Sequence, residues 1–257
     1  PARIGVVVAC RMKSSRLNSK ATLEIAQLSS VERCLENCLK IADADVVVLA
    51  TSTTEEDSIL ENYTLGGKVK VWKGEPDDVI HRYLGACDEY GIDVIVRVTA
   101  DCPVISVEIA KVLLDHHFRT GADYTAAKHC AAGTACEIYN VEALRRVIGY
   151  LGNAEYSEYM TWYLQNNAHI FKIELIDLPP EMVRDYRLTL DYPEDLDLFE
   201  QLFSELKERN LPPDLNSIFE ILDQKPDMAR INAHLELRYK VDTQLIDKLN
   251  SVTKIEI

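Results

Sequence analysis

Ten residues near the start of the chain, Arg11 to Lys20 (RMKSSRLNSK), hold Arg11, Lys13, Arg16 and Lys20 with the adjacent hydroxyls of Ser14 and Ser15, a further one at Ser19, and no acid. Cationic side chains at that density, interleaved with backbone N–H groups, suit a polyphosphate. Two aspartates offer the complementary chemistry: Asp101 follows the run Ile92–Thr99, and Asp191 follows Asp185–Leu190. Mg2+ is usually held by one or two carboxylates together with phosphate oxygens and water, so two well-placed aspartates suffice. Each piece also has an ordinary reading, the loop as a basic surface segment and the aspartates as turn or helix-cap residues. Only their combination points to metal-assisted chemistry on a phosphate.

The elements that must position these residues follow a strand–helix alternation. Ile4 to Ala9 is a β-branched apolar run and reads as a buried first strand, so the basic loop leaves its carboxyl end. Ser29-Ser30-Val31-Glu32 has capping-box spacing and opens a helix to about Asp43. Val46–Ala50 is a second buried strand, and the hydroxyl cluster Thr51–Thr54 after it is expected to cap a helix carrying Glu55, Glu56 and Asp57 in its first turn. Val69–Trp72 alternates like a strand, Pro76-Asp77-Asp78 starts a helix through Tyr90, Ile92–Thr99 is a further strand, and Val107–Phe118 a further helix. That alternation implies an α/β fold with a mainly parallel sheet, right-handed crossovers and helices on both faces, whose ligand crevice lies outside the carboxyl ends of the strands. After Gly121 the pattern loosens: a strand near Tyr124, a helix from Val141, another around Glu155–Gln165, a strand at Phe171–Ile176, and a late strand Asp185–Leu190. Pro193 then fits the first turn of a helix, and a short helix near Asn216–Leu222 closes the main domain, taken as residues 1–225, with 226–257 as a tail or the start of a further segment.

Composition narrows the function classes. A chain of 257 residues with 47% hydrophobic content supports one large domain, and a net charge of −14 argues against nucleic acid or an anionic membrane as the main partner. No apolar run approaches the roughly 20 residues that span a bilayer, and no signal-peptide pattern opens the chain. Seven cysteines without a Cys-x-x-Cys pair read as buried free thiols, which suits a reducing cytoplasm. A dinucleotide-binding oxidoreductase is disfavoured because no Gly-x-Gly-x-x-Gly follows the first strand. The Asp-x-Asp signal of a metal-dependent glycosyltransferase occurs twice, at Asp43-Ala44-Asp45 and Asp195-Leu196-Asp197, but before a strand and inside a helix, so both pairs are read as surface acids. A protein that binds nucleotide without turning it over is the remaining alternative.

Four ordered segments resemble the nucleotide-sugar cytidylyltransferases grouped with CMP-Kdo synthetase, acylneuraminate cytidylyltransferase and the spore-coat polysaccharide cytidylyltransferases. These are ACRMKSSRLNSK (Ala9–Lys20), GEPDDVIHRY (Gly74–Tyr83), IVRVTADCP (Ile95–Pro103) and YRLTLDYPEDL (Tyr186–Leu196). The resemblance implies a Rossmann-like nucleotidyltransferase fold and transfer of a nucleoside monophosphate from a triphosphate, with release of pyrophosphate. Carried over by position, Arg11, Ser14, Ser15, Arg16 and Lys20 would hold the triphosphate, and Arg11, Arg16, Lys20 and Asp101 would carry catalysis. Asp101 and Asp191 would hold Mg2+. Ala9, Cys10, Thr51, Ser52 and Arg82 would lie along the nucleotide, and Arg97, Glu137, Tyr159 and Arg187 near the acceptor sugar or sugar-phosphate. CTP is the expected nucleotide for surface polysaccharide or glycoconjugate synthesis.

The chain departs from the family at identifiable positions. Lys13 stands where many members have Gly, and Asn18-Ser19 where Pro-Gly is common, which adds charge and removes backbone freedom. Glu158-Tyr159-Met160-Thr161 stands where spore-coat-type members have Glu-His-Val-Thr. The run GTACEIYN (Gly133–Asn140) looks closer to enzymes that activate amino-sugar 1-phosphates, which keeps GTP, and a sugar-1-phosphate guanylyltransferase, as the alternative. The related families are often dimers, and the apolar stretch Tyr156–Leu164 could face a second copy or pack on its own sheet.

Overall fold

Ile4 to Val8 are buried on both sides of the strand they form, β1 (Ile4–Ala9): Val6 and Val8 face one core and Val7 the other. A strand covered on both faces needs no polar alternation, which is why the run is uniformly apolar. The computed structural model describes residues 1–256. Besides β1 its main sheet contains β2 (Val46–Ser52), β3 (Lys70–Gly74), β4 (Val94–Thr99), β5 (Tyr124–Ala127), β6 (Glu137–Asn140) and β7 (Ile173–Ile176). Their spatial order is β3-β2-β1-β4-β6-β5-β7. β6 runs antiparallel to both neighbours, and the other pairings are parallel.

The helices are α1 (Ser30–Cys38), α2 (Val79–Tyr90), α3 (Val107–Thr120), α4 (Val141–Leu151), α5 (Thr161–Gln165), α6 (Pro193–Glu208) and α7 (Leu215–Gln224). Leu35, Leu113, Phe199 and Ile218 bring α1, α3, α6 and α7 onto one face of the sheet. Ile80, Leu144 and Tyr163 bring α2, α4 and α5 onto the other. Helices therefore flank both faces of a mainly parallel sheet, as the alternation implied. Side-chain caps fix where several begin: Ser29 accepts from the Glu32 N–H, Asp78 from His81 and Ser106 from Ile109, each replacing a bond the first turn cannot make internally. Gly91 and Gly121 end α2 and α3 in the left-handed conformation.

Four local expectations need correction. The first helix stops at Cys38, short of Asp43, because the chain turns there to bury Ile41. The hydroxyl cluster Thr51–Thr54 caps no helix; residues Glu56–Asn62 form a 3-10 helix, and Ser52 bonds Thr54 and Asp57 instead. The stretch expected as one helix at Glu155–Gln165 is split into a 3-10 turn at Ser157–Tyr159 and the short α5. The segment Asp185–Leu190 is not a sheet strand. It is extended chain that makes a single bridge, Ala132 with Arg187, through Ala132 N–H to Tyr186 O (2.9 Å) and Leu188 N–H to Ala132 O (2.7 Å), followed by Leu190 N–H to Asp101 O (2.8 Å).

After residue 225 the chain forms α8 (Pro226–Ala229), α9 (Arg238–Val241) and α10 (Thr243–Val252). Met228 packs into the core on the α6–α7 face, whereas Ile255 packs into the opposite core. The far end is pinned there by Asn167, whose amide donates to Thr253 O at 2.7 Å and accepts from Ile255 N–H at 2.8 Å. The seven cysteines are free, and all but Cys130 are buried. Among the described residues no helix is long and apolar enough to cross a membrane.

Candidate active site

Parallel strands β1, β2 and β4 end at one edge of the sheet, so Cys10, Ser52 and Asp101 leave it side by side. β6 is antiparallel and so brings its first residue, Glu137, to the same edge, in register with Arg97. Chain direction alone thus gathers residues far apart in sequence along one crevice.

The loop after β1 is anchored at its start by Asp57. This buried carboxylate accepts from the Met12 N–H (2.7 Å), from Arg11 Nε (3.1 Å) and from Ser52 Oγ. Burial alone would raise its pKa, but the hydrogen bonds from Ser52 and Met12 and the Arg11 charge outweigh burial and hold it below the ordinary carboxylate value. Arg11 Nη1 donates to Pro76 O at 2.7 Å. Arg82, buried, donates to the same carbonyl at 2.8 Å and to Glu75 O at 3.0 Å. Arg11 and Arg82 therefore brace the loop before α2 against the loop after β1. Thr51 is fully buried, and among the described residues its Oγ1 has no hydrogen-bond partner. Ala9 is half-buried at the strand end, and Cys10 is buried with its N–H donating to Ala50 O at 3.1 Å. Burial, with the Asp101 and Asp57 charges nearby, pushes the Cys10 thiol up to about 12, so it is an inert neutral wall.

Further along the loop, Lys13 and Ser15 are exposed, and Ser14 Oγ accepts from the Leu17 N–H at 3.4 Å. Ser19, standing where the family has Gly, adopts φ 52°, the left-handed region that glycine enters without strain. That turn leads into Lys20, the first residue of a 3-10 helix.

Lys20 is the centre of the arrangement. Its Nζ lies 2.9 Å from Asp101 Oδ2 and 2.9 Å from Asp191 Oδ1, and Arg16 Nη2 lies 2.6 Å from the same Asp191 oxygen. Burial works to raise the pKa of Asp101, but the Lys20 ammonium and hydrogen bonds from Thr99, Lys20 and Cys102 win and keep it ionised. On its other side Asp191 Oδ2 accepts from Arg187 Nη2 at 3.0 Å. Arg187 is in turn gripped by Asp195, with Nε to Oδ1 at 2.9 Å and Nη2 to Oδ2 at 3.2 Å. Asp195 Oδ2 also accepts the backbone N–H groups of Asp191 (2.8 Å) and Tyr192 (2.9 Å), the second of these being half of a capping box at the start of α6. Gly133, at φ 87°, passes so close to the Leu188 carbonyl that any Cβ would overlap it.

A second cluster surrounds Glu137. Its carboxylate accepts from Arg97 Nη1, Tyr124 Oη, Thr161 Oγ1 (2.6 Å) and Tyr139 Oη (3.3 Å). Burial opposes its charge, but Arg97 foremost, then the hydroxyl donors, hold its pKa below the ordinary value. Arg97 Nη2 also donates to Glu158 O at 3.1 Å, which ties the 3-10 turn carrying the half-buried Tyr159 to this cluster.

The structure thus gathers Arg16, Lys20, Asp101, Asp191 and Arg187 at one point. It joins Arg11 and Arg82 through Pro76, and sets Arg97 and Glu137 together farther along the same edge. Arg187, expected near the acceptor, has two of its three nitrogens engaged by Asp191 and Asp195. Two organising acids escaped the sequence reading. Asp195 was expected on the surface but is fully buried, so the second Asp-x-Asp is not an exposed metal pair. Its position as third residue of a helix starting at Pro193 was the available signal. Asp57 was read only as a helix-dipole acid, and its link to Met12 N–H crosses 45 residues, beyond any local pattern.

Comparison with known proteins places the chain in a family. A cytidylyltransferase family model matches residues 5–222. The chain is 28% identical over 233 residues to an uncharacterised protein of Methanocaldococcus jannaschii, covering 90% of this chain and 95% of that one. It is 27% identical over 231 residues to the spore coat polysaccharide biosynthesis protein SpsF of Bacillus subtilis, covering 87% and 95%. The solved structure of a cytidylyltransferase from Leptospira borgpetersenii superposes with a TM-score of 0.82 at 24% identity, covering 92% of this chain and 99% of that one, a likeness of fold. With the family model spanning β1 to α7 and the basic loop and both aspartates within its bounds, the chain belongs to the cytidylyltransferase family and is a nucleotidyltransferase.

Proposed function

We propose that the enzyme is a divalent-metal-dependent cytidylyltransferase that moves CMP from CTP to a sugar or sugar-phosphate acceptor and releases pyrophosphate, for surface polysaccharide or glycoconjugate synthesis. The observation that carries the reading is the Lys20 ammonium lying between two carboxylates, Asp101 and Asp191, at the mouth of a basic loop. An acceptor oxygen attacks the α-phosphorus, the bond from that phosphorus to the bridging oxygen breaks, and pyrophosphate leaves. Such a transfer needs positioning and neutralisation of charge more than covalent help.

The donor set fits Mg2+. Asp101 Oδ2 and Asp191 Oδ1 both reach one cation, the Lys20 ammonium, so they already converge on a single positive charge. Among the described residues no group of three or more His, Cys, Asp or Glu is gathered, which suits an ion that takes its other ligands from phosphate and water. Bound there, Mg2+ would neutralise phosphate oxygens and stabilise the entering and leaving groups. The chain's own part is to present cations to the triphosphate. Arg16 and Lys20 can exchange their carboxylate partners for phosphate oxygens. Arg11 and Arg82 keep the crevice walls fixed through Asp57 and Pro76. The Arg97–Glu137 pair, with Tyr159 beside it, lies along the edge where an acceptor would enter.

Support for CTP comes from the family. The run GTACEIYN, which kept GTP as an alternative, gives it little: Gly133 is required by its approach to Leu188, and Glu137 is held by Arg97 and three hydroxyls. Titration calorimetry with CTP and GTP in Mg2+, followed by pyrophosphate release across the four nucleoside triphosphates and a panel of sugars, tests the reading. CTP binding with Mg2+-dependent pyrophosphate release is expected. GTP binding with none for CTP, or turnover unaffected by EDTA, would overturn it.

A further inference from the structure

Asn232 lies in the turn after α8, ten residues beyond the segment the family model matches, yet it is 1% exposed and reaches the site. Its Nδ2 donates to Asp195 Oδ1 at 2.8 Å and to Arg187 O at 3.0 Å. From there the links run through two charged pairs. Asp195 grips Arg187 with both carboxylate oxygens, and Arg187 Nη2 donates to Asp191 Oδ2. Asp191 Oδ1 is left to accept from Arg16 Nη2 and from Lys20 Nζ, the ammonium it shares with Asp101 Oδ2.

We infer that Asn232 is a positioning residue for Asp191: the C-terminal segment, through this one amide, fixes which carboxylate oxygen of Asp191 is presented to the metal. The inference rests on the reading of Asp191 as a metal ligand.

Two features make an amide the fitting group. Both atoms that Asn232 faces are acceptors, a carboxylate oxygen and a backbone carbonyl, so a group with two N–H donors satisfies both at once; a hydroxyl has one donor and a carboxylate none. Asp195 also accepts the Asp191 N–H, so a shift of its carboxylate moves the backbone of Asp191 and the Arg187 contact to its side chain together. Partners of this kind orient metal ligands and govern metal affinity without touching the ion. By the same contacts the tail becomes part of the site. Met228 and Ile231 seat it on the core beside α6 and α7 immediately before Asn232.

The test uses Mn2+ as the probe, titrated into the enzyme with CTP and no acceptor, with free Mn2+ followed by electron paramagnetic resonance. Asn232→Ala should bind Mn2+ about 10-fold more weakly than the wild type, while CTP affinity in EDTA changes by less than about twofold. Asn232→Ser, which restores one donor, should fall between them, and it carries the test by the same criteria if the alanine variant does not fold. Unchanged Mn2+ affinity in a folded variant would overturn the inference. So would an equal loss of CTP affinity in EDTA, which marks a general loosening of the fold. Asp191→Asn, run in parallel, separates the underlying reading: if wild type and Asp191→Asn take up Mn2+ alike, Asp191 is no ligand and the inference falls with it.

Discussion

Lys20 Nζ stands 2.9 Å from Asp191 Oδ1, and the same ammonium reaches Asp101 Oδ2 at 2.9 Å, so one flexible cation holds together two acids 90 positions apart in the sequence. Both acids raise the Lys20 pKa although burial works against it, which keeps the side chain charged. Lys20→Ala removes that cation and with it the proposed charge-assisted phosphate contact, and should lower kcat/KM with CTP by about 100-fold. Lys13→Ala, at an exposed position without that contact, should change it by less than about threefold. Steady-state pyrophosphate release measures both. Equal losses at the two positions would reduce the loop to a diffuse basic patch.

Asp101→Asn tests the carboxylate pair directly. The amide keeps the shape but loses the charge, so turnover should fall by about 1,000-fold or more with the thermal midpoint nearly unchanged. Rates close to wild type at saturating Mg2+ would refute the assignment.

Glu137 makes the fold sensitive to acid. Its pKa lies below the ordinary value of 4.5 because Arg97 and the hydroxyl donors outweigh burial. A carboxylate depressed in the folded state lends stability that is complete above its unfolded pKa and is lost as pH falls through the folded one. Glu137→Gln should therefore destabilise the protein at pH 7 by about 3 kcal/mol, because Arg97 is left buried without its partner. Its stability should also fall less steeply than that of the wild type below pH 4.5. Urea unfolding at several pH values reads this out, and parallel stability–pH curves would contradict it.

Gly133→Ala should destabilise the protein by about 2–4 kcal/mol, since a Cβ would meet the Leu188 carbonyl and φ is 87°. Leu188 lies in the extended segment that ends at Asp191, so metal affinity should weaken along with stability. A variant with wild-type thermal midpoint would show that the segment relaxes freely.

Asp57→Asn should loosen the start of the basic loop, because an amide oxygen accepts more weakly than a carboxylate from Met12 N–H and Arg11. A rise of about 10-fold in KM for CTP with a smaller change in kcat is expected. A fall in kcat alone would place Asp57 in the chemistry itself.

What the sequence determined by itself was whatever rests on local periodicity and on contiguous motifs. The apolar runs at Ile4–Ala9 and Val46–Ala50, and the β-branched run at Val94–Thr99 interrupted by Arg97, specify parallel strands of the sheet, and strand direction then puts Lys20's loop and Asp101 at one edge. The family resemblance was legible for the same reason, since its motifs are short and unbroken. The tertiary structure alone decided how the acids divide their roles. The sequence singled out Asp191 and read Asp195 as a surface acid, but in the structure Asp191 accepts from Lys20 while Asp195 is fully enclosed by Arg187, two backbone N–H groups and Asn232. The segment Asp185–Leu190 has the composition of a strand, yet its backbone N–H groups find a single bridge to Ala132 and the Asp101 carbonyl instead of a ladder. Asn232 carried no signal at all, because a lone asparagine acquires meaning only from the acceptors that folding brings to its amide, 37 and 45 residues away.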